Sequence, residues 1–310
     1  MEINGKATNR PSPTNGSVNI PQLKVERVSQ DVLERRRNRF AEKSEPRTAE
    51  LRVMEPHGSD EPIVGCCTRL EKAYFRLTTA PNPDEIRPEP VLKEAYKRLK
   101  SMWKTGGDIN YIMDQMKAIR QDLVVQKIQD PFSVKVYETH AKISLDKSDL
   151  NEFNQCQSML SSLYEAFPSK HVLEFLAYQL IYDATLHNTI DLHRHLQLAY
   201  FHLDSKHIRH ALFVVSAVRN NEYHYYLRLL EAASEYSRKL MLLYLPLFQR
   251  RTLKLTLAST VPSISLDLLA TTMEMERESV EAVLTRYGLS FTSVVEIAPN
   301  RSAIQHIPYW

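Results

Sequence analysis

Residues 106–131 read GGDINYIMDQMKAIRQDLVVQKIQDP, and this stretch decides the fold class. Gly106-Gly107 is a helix stop, because glycine takes the left-handed conformation that closes a helix. Asp108 is a helix N-cap. Ile109, Ile112, Met113, Met116, Ile119, Leu123, Val124 and Ile128 then repeat with the 3.6-residue period of an amphipathic helix. Asp130-Pro131 restarts a helix with a cap and a proline at the first helical position. Stop, cap, stripe and restart predict antiparallel helices joined by tight turns.

The same pattern extends in both directions. Upstream, Val91 to Lys104 carries Val91, Leu92, Ala95, Tyr96, Leu99, Met102 and Trp103 at helical spacing. Downstream, helices are predicted over 131–146, 149–166, 170–186, 189–202, 206–219 and 221–234. Alternate helices begin near 131, 170 and 206, a period of roughly 36–39 residues that suits stacked helix–turn–helix repeats. No consensus residue recurs, so the repeat is one of spacing. A longer helix is predicted over 234–257, with Pro246 as a point of bending. Short helices follow at 266–271 and 276–287, the second stopped by Gly288. Val294 to Ile297 and Ala303 to His306 read as β-strands, with Pro299-Asn300-Arg301 as the turn between them. Helix, turn, helix and hairpin is the order of a winged helix.

Composition narrows the function. The chain has 310 residues, 40 basic and 37 acidic side chains, 16 prolines, seven glycines and three cysteines. No glycine occurs between Asp108 and Tyr287, so a phosphate-cradling loop of the Rossmann or P-loop type is excluded from that stretch. Three cysteines make no disulfide framework, which points to a reducing compartment. No stretch reaches the roughly 20 apolar residues of a membrane span. The polar N-terminus lacks the apolar core of a secretion signal. The expectation is a soluble intracellular protein, with the sequons at Asn15 and Asn300 read as chance. Ten of the 16 prolines precede Val91. The first part is therefore read as a basic, largely unstructured arm over 1–60 with a short helix at 29–43. A further short helix is predicted over 66–77. The expected organisation is the arm, a helical segment over 61–130, helical repeats over 131–250, and a winged helix over 251–310.

Several local motifs resemble a known family. Leu77-Thr78-Thr79-Ala80-Pro81-Asn82-Pro83, then Ile86-Arg87-Pro88 and Val91-Leu92, look like the entry segment of the SAC3/GANP family. Ile119-Arg120-Gln121-Asp122-Leu123 with Val125-Gln126 looks like its helical signature. Val136-Tyr137-Glu138-Thr139-His140-Ala141 and Glu152-Phe153-Asn154-Gln155-Cys156-Gln157 resemble the branch of that family containing the leukocyte receptor cluster and Thp-three proteins, as does the basic run from Arg36 to Phe40. Where the export scaffolds of the family carry a Met-Cys-Pro motif, this chain has Gly65-Cys66-Cys67-Thr68, which favours that branch. The resemblance implies a PCI module, the helical-repeat and winged-helix fold shared by proteasome-lid, signalosome and initiation-factor subunits. The fold class expected is therefore an all-α helical solenoid of PCI-type helix–turn–helix repeats, ending in a small winged helix with a short β-hairpin.

Candidate sites follow from charge and chemistry. Lys93, Lys97, Lys100 and Lys104 form one basic stripe on a helix, suited to phosphate contact or to a solvated face. Arg250, Arg251 and Lys254 end the long helix, Arg286 ends the presumed recognition helix, and Arg301 falls in the wing turn. Together they are the candidate nucleic-acid patch. Glu274, Glu276, Glu278 and Glu281 line the start of that recognition helix and argue against reading a DNA groove. Arg35, Arg36, Arg37 and Arg39 are the nuclear-import candidate. Leu289, Phe291, Tyr309 and Trp310 are candidates for a partner interface, with core packing the alternative for Leu289 and Phe291. His193, His195, His202, His207 and His210 lack the spacing of a metal site, and Cys66-Cys67 are adjacent rather than two apart. Arg120 and Asp122 are each expected to make a buried pairing with a neighbouring helix. No metal, cofactor or catalytic set is expected. The resemblance implies a non-enzymatic nuclear scaffold that pairs through its winged helix with a second PCI protein. It also implies a small acidic Sem/DSS-type peptide in the complex and RNA binding during mRNA synthesis, splicing or export. The alternative is a proteasome-lid or signalosome-type PCI subunit.

Overall fold

A computed structural model describes residues 63–74 and 81–308. These all belong to the unit spanning Pro62–Trp310. The basic arm, its helix at 29–43 and residues Tyr309 and Trp310 lie outside the described residues.

The chain forms an all-α solenoid that closes in a small unit with a two-stranded sheet. The helices are α1 (Glu89–Lys104), α2 (Ile109–Val125), α3 (Pro131–Asp146), α4 (Leu150–Ala166), α5 (Val172–Leu186), α6 (Thr189–Tyr200), α7 (Lys206–Asn220), α8 (Tyr223–Glu231) and α9 (Glu235–Ser259). The terminal unit adds β1 (Ser263–Ser265), α10 (Leu266–Met273), α11 (Arg277–Arg286), β2 (Val294–Glu296) and α12 (Ile297–His306). The caps predicted at Asp108 and Asp130 form, and Asp149 adds a third. The side chains of Asp108, Asp130 and Asp149 accept hydrogen bonds from backbone N–H groups in the first turns of α2, α3 and α4.

Glycine scarcity has a structural consequence. Lys127 and Ser148 lie just past the ends of α2 and α3, and His187 and Asn221 cap α5 and α7. They take left-handed φ values of 53°, 63°, 55° and 59°. Of these four, asparagine is the type that visits this region most readily. The chain thus makes turns without glycine that most sequences make with it.

Three apolar clusters run along the chain. One joins α1, α2 and part of α3 around Leu92, Ile112, Met116 and Ile119. The largest runs from α3 to α9 around Phe153, Phe175, Tyr178 and Tyr226. The third fills the terminal unit around Leu253, Leu257, Leu269 and Leu284. Helix α3 supplies Phe132, Val136 and Ile143 to the first and Val134, Tyr137 and Ala141 to the second. Helix α9 continues across Pro246 and supplies both the second and the third. Packing therefore passes between clusters along shared helices.

Residues 63–74 and 81–88 form an extended strap on α2. Residues 63–74 hold no helix, contrary to the expectation at 66–77, and a single 3-10 turn occupies Pro83–Glu85. The two stretches pair briefly: Cys66 N–H donates to Pro83 O at 3.0 Å, and Cys67 N–H to Ile86 O at 2.9 Å. Gly65 is required there, because a Cβ would sit 2.3 Å from Ile86 O. The Gln126 amide accepts from Gly65 N–H at 3.1 Å and donates to Arg87 O at 2.8 Å. Arg87 is fully buried, and its Nε donates to Asp122 Oδ2 at 2.7 Å. Lys72 Nζ donates to the other carboxylate oxygen at 2.7 Å. Arg120 thus pairs with a neighbouring helix, α4, as expected, whereas Asp122 pairs with the extended strap and not with a helix.

The terminal sheet differs from the expected hairpin in its partner strand. β2 pairs antiparallel with β1, Ile264 opposite Val295, rather than with 303–306. Residues 297–306 are helical. Pro299 sits in the first turn, where its missing N–H costs nothing. Ile297, Asn300, Ile304 and Ile307 fall on one helical stripe that turns inward. The Asn300 amide donates to Ser290 O and Glu296 O, and its oxygen accepts from Ser290 N–H, so it pins α12 to the loop before β2. Asn300 is therefore a buried anchor and not a turn residue.

Two substitutions test the strap. Gly65→Ala is expected to destabilise the fold by roughly 1–3 kcal/mol through overpacking. Asp122→Ala is expected to cost roughly 3–5 kcal/mol, because it strands a buried guanidinium. Urea unfolding midpoints measure both, with the exposed Lys97→Ala as the unchanged control.

Candidate functional site

The lysine stripe is displayed as the sequence predicts. α1 buries Leu92, Ala95, Tyr96 and Leu99, which leaves Lys93, Lys97, Lys100 and Lys104 exposed on other faces. Lys93 pairs with Glu89 one turn before it and lies 5.6 Å from the Phe132 ring centre. Lys100 lies 5.7 Å from the Tyr96 ring centre. Lys97 and Lys104 are the most available of the four for an external anion.

The arginine patch is only partly displayed. Arg286 at the end of α11 and Arg301 on α12 are exposed. Arg301 stands on a helix and not in a wing turn. Arg250, Arg251 and Lys254 are half-buried. Arg251 Nη1 donates to Val218 O at 3.4 Å, against the body of the solenoid. Lys254 Nζ donates to Gln305 O at 3.1 Å and Ile307 O at 2.7 Å. A cation on the last carbonyls of α12 offsets the negative end of that helix. Lys254 thus ties α9 to α12 of the terminal unit, and Arg251 ties α9 to α7.

The helix–turn–helix of α10 and α11 presents acid. Glu274, Glu276 and Glu278 are exposed, and Arg277 is taken up by Asp267 at 2.9 Å and Glu281 at 3.1 Å. That surface repels a nucleic-acid groove. Leu289, offered by the sequence as an interface residue, is 4% exposed and belongs to the core of the terminal unit. Phe291 is half-buried against the same core. Tyr309, Trp310 and the Arg35, Arg36, Arg37 and Arg39 run fall outside the described residues.

Two of the clustered histidines have structural partners. His195 is buried with Nδ1 2.6 Å from Asp183 Oδ2, and His210 Nε2 donates to Leu229 O at 2.9 Å. Two other features lie outside the candidate sites named from the sequence. Ile190 and Phe201 on and after α6 are 82% and 77% exposed. They stand off the buried face of Leu192, His195 and Ala199, a mismatch visible in the spacing. The second feature is a buried polar cluster between α2, α3 and α4. Arg120 Nη1 donates to Cys156 Sγ at 2.8 Å, and its Nη2 pairs with Glu152 Oε1. Lys117 Nζ is 3.3 Å from Glu152 Oε2, and His140 Nε2 is 4.0 Å from Glu152 Oε1. Burial, together with Arg120 and Lys117, holds the His140 imidazole well below its ordinary range and therefore neutral. Burial pushes the Cys156 thiol up to about 12, against the opposing pull of Arg120. The Glu152/Cys156 spacing of four is legible in sequence, but its meeting with His140 depends on how α3 and α4 pack.

With strap, stripe and terminal unit in place, the comparison with known proteins becomes decisive. The SAC3/GANP family model matches residues 42–293. The chain belongs to the SAC3/GANP family. It is 38% identical over 251 residues to a THP3 homologue of Schizosaccharomyces pombe, covering 79% of this chain and 63% of that one. It is 39% identical over 202 residues to a leukocyte receptor cluster member 8 homologue of Xenopus laevis, covering 62% of this chain and 25% of that protein. Protein THP3 of Saccharomyces cerevisiae is 45% identical over 124 residues, 39% of this chain and 26% of that protein. The chain thus spans less than two thirds of the length of these relatives. Their names agree with the branch to which the motifs at 136–141 and 152–157 point. Among the described residues of this SAC3/GANP protein, no helix is long and apolar enough to cross a membrane.

Lys254→Ala tests the clamp on the terminal unit. It is expected to lower the stability of that unit by about 1–2 kcal/mol. Amide exchange should quicken over 297–307 and stay unchanged over α1 to α5.

Proposed function

We propose that this chain is a non-enzymatic nuclear scaffold in mRNA synthesis, splicing or export. It pairs through its terminal unit with a second PCI-type protein and contacts RNA as part of that pair. Family membership supports the scaffold reading. The observation that carries the shared-surface reading is the fate of the cations in the terminal unit. Lys254 and Arg251 bond to backbone carbonyls, and Arg277 is held by two carboxylates. Arg286, Arg301 and the stripe of Lys93, Lys97, Lys100 and Lys104 remain exposed. A net charge of +3 supports only weak autonomous binding to a polyanion. A partner that adds its own cations would complete the surface. Phe291, Tyr309 and Trp310 are the residues we assign to pairing, and an acidic Sem/DSS-type peptide completes the complex.

RNA titrations of the isolated chain and of the co-purified pair, at about 50 and 200 mM salt, test this. The pair is expected to bind more tightly, with affinity falling steeply as salt rises. Changing Lys97, Lys100 and Lys104 to alanine should reduce the log–log salt slope by roughly 0.7 for each phosphate these lysines neutralise. Salt-independent binding by the pair, or none at all, removes RNA from the function.

The arm carries a separate expectation. A reporter fused to residues 29–43 should accumulate in the nucleus, and changing Arg35, Arg36, Arg37 and Arg39 to alanine should abolish this. A cytoplasmic reporter with the native arm means that nuclear entry depends on other residues or on the partner.

A further inference from the structure

The cluster between α2, α3 and α4 holds a set of donors that its hydrogen bonds do not account for. His140 is fully buried, and neither ring nitrogen has a hydrogen-bond partner. Arg120 Nε is also buried without one, while Glu152 Oε1 has the Arg120 Nη2 ion pair as its close partner. Three such atoms in one place are unfavourable unless something further joins them. Glu152 and Cys156 stand one helical turn apart on the same face of α4, and His140 faces them from α3. The ligand atoms these three offer lie within 4.8 Å of one another. An imidazole nitrogen, a carboxylate oxygen and a thiolate sulfur are the donor set of a zinc-class cation.

Arg120 occupies the position of positive charge in this cluster. Its guanidinium balances Glu152 and donates to Cys156, but its own Nε stays unpaired. Arg120 also lines an open pocket of about 330 Å³ with Lys117 and Gln121, which gives the guanidinium room to swing outward. We infer that His140, Glu152 and Cys156 form a binding site for a zinc-class divalent cation, in which Arg120 stands in for the cation until the ion displaces it. On binding, the Cys156 S–H bond breaks, its proton leaves to solvent, and a sulfur–metal bond forms. The ion exchanges bound water for the three protein donors, with no change of oxidation state. Such a site would tie α3 to α4 beneath the signature helix α2.

The test is a titration of the full chain, first treated with chelator, with cobalt(II), followed by the thiolate-to-cobalt charge-transfer absorption. Zinc(II) is then added as competitor. One equivalent of cobalt should raise the band and zinc should abolish it. The band should persist with Cys66→Ser and Cys67→Ala and disappear with Cys156→Ser. His140→Gln should weaken cobalt binding by more than about 100-fold, beyond the 10- to 100-fold that an outer partner costs. Arg120→Ala should bind cobalt more tightly than the native chain and gain a larger rise in melting temperature with zinc. Absence of the band in both the native chain and Arg120→Ala overturns the site and leaves the cluster a hydrogen-bonded network bridged by water. A band that follows Cys66 or Cys67 overturns it equally.

Discussion

A carboxylate with no access to water must be paired, and the solenoid is organised around one such group. Asp122 points from α2 into the body, where Arg87 and Lys72 each donate to one of its oxygens at 2.7 Å. Leaving it unpaired would cost more than any local rearrangement could offset. The extended strap must therefore lie along α2, although nothing in its own sequence is periodic. Gln126 then holds the strap by its backbone, and Gln115 does the same for Lys72 through both its amide oxygen and nitrogen. Gly65 admits the close approach. Residues far apart in sequence and chemically unalike thus serve one contact.

The strap fixes α2, and α2 in turn fixes α3. Helix α3 is buried around most of its circumference, including Glu138, Thr139, His140 and Ser144. Most of its polar groups find partners: Thr139 bonds with Tyr96 Oη at 2.8 Å, Glu138 accepts from Tyr164 Oη at 3.0 Å, and Ser144 donates to His140 O at 2.8 Å. The imidazole of His140 is the exception, which is why the cluster around it carries an inference and the rest of the helix does not. Helix α9 plays the corresponding role at the other end. It carries the large core across Pro246 into the terminal unit, and Lys254 closes the junction through the carbonyl end of α12.

The same junction shapes the electrostatics. Cations that look available along the sequence become structural when their partners are backbone carbonyls brought from distant parts of the chain. Lys254 reaches Gln305 and Ile307, and Arg251 reaches Val218. Of the candidate cations among the described residues, those that stay exposed are the lysines of α1, Arg286 and Arg301. A surface of this kind acts through what a partner adds to it.

Much was legible in the sequence because it depends on local physics. Caps at Asp108 and Asp130, the stop at Gly106-Gly107 and the 3.6-residue stripes placed α1 to α9 to within a few residues, since each is decided by hydrogen bonds and apolar spacing over single turns. The lysine stripe followed from the same spacing. The end of the terminal unit is helical where its sequence suggests a strand, because valine and isoleucine favour strands locally. The stripe Ile297, Asn300, Ile304 and Ile307 acquires its meaning only against a core built by α9 to α11. The strap, the pairing of β1 with β2 across two helices, the loss of Lys254 and Arg251 from the surface, and the meeting of His140 with Glu152 and Cys156 were decided by tertiary structure alone. Each joins groups distant in sequence, and no local propensity encodes which buried charge or orphaned donor a distant residue will be brought to satisfy.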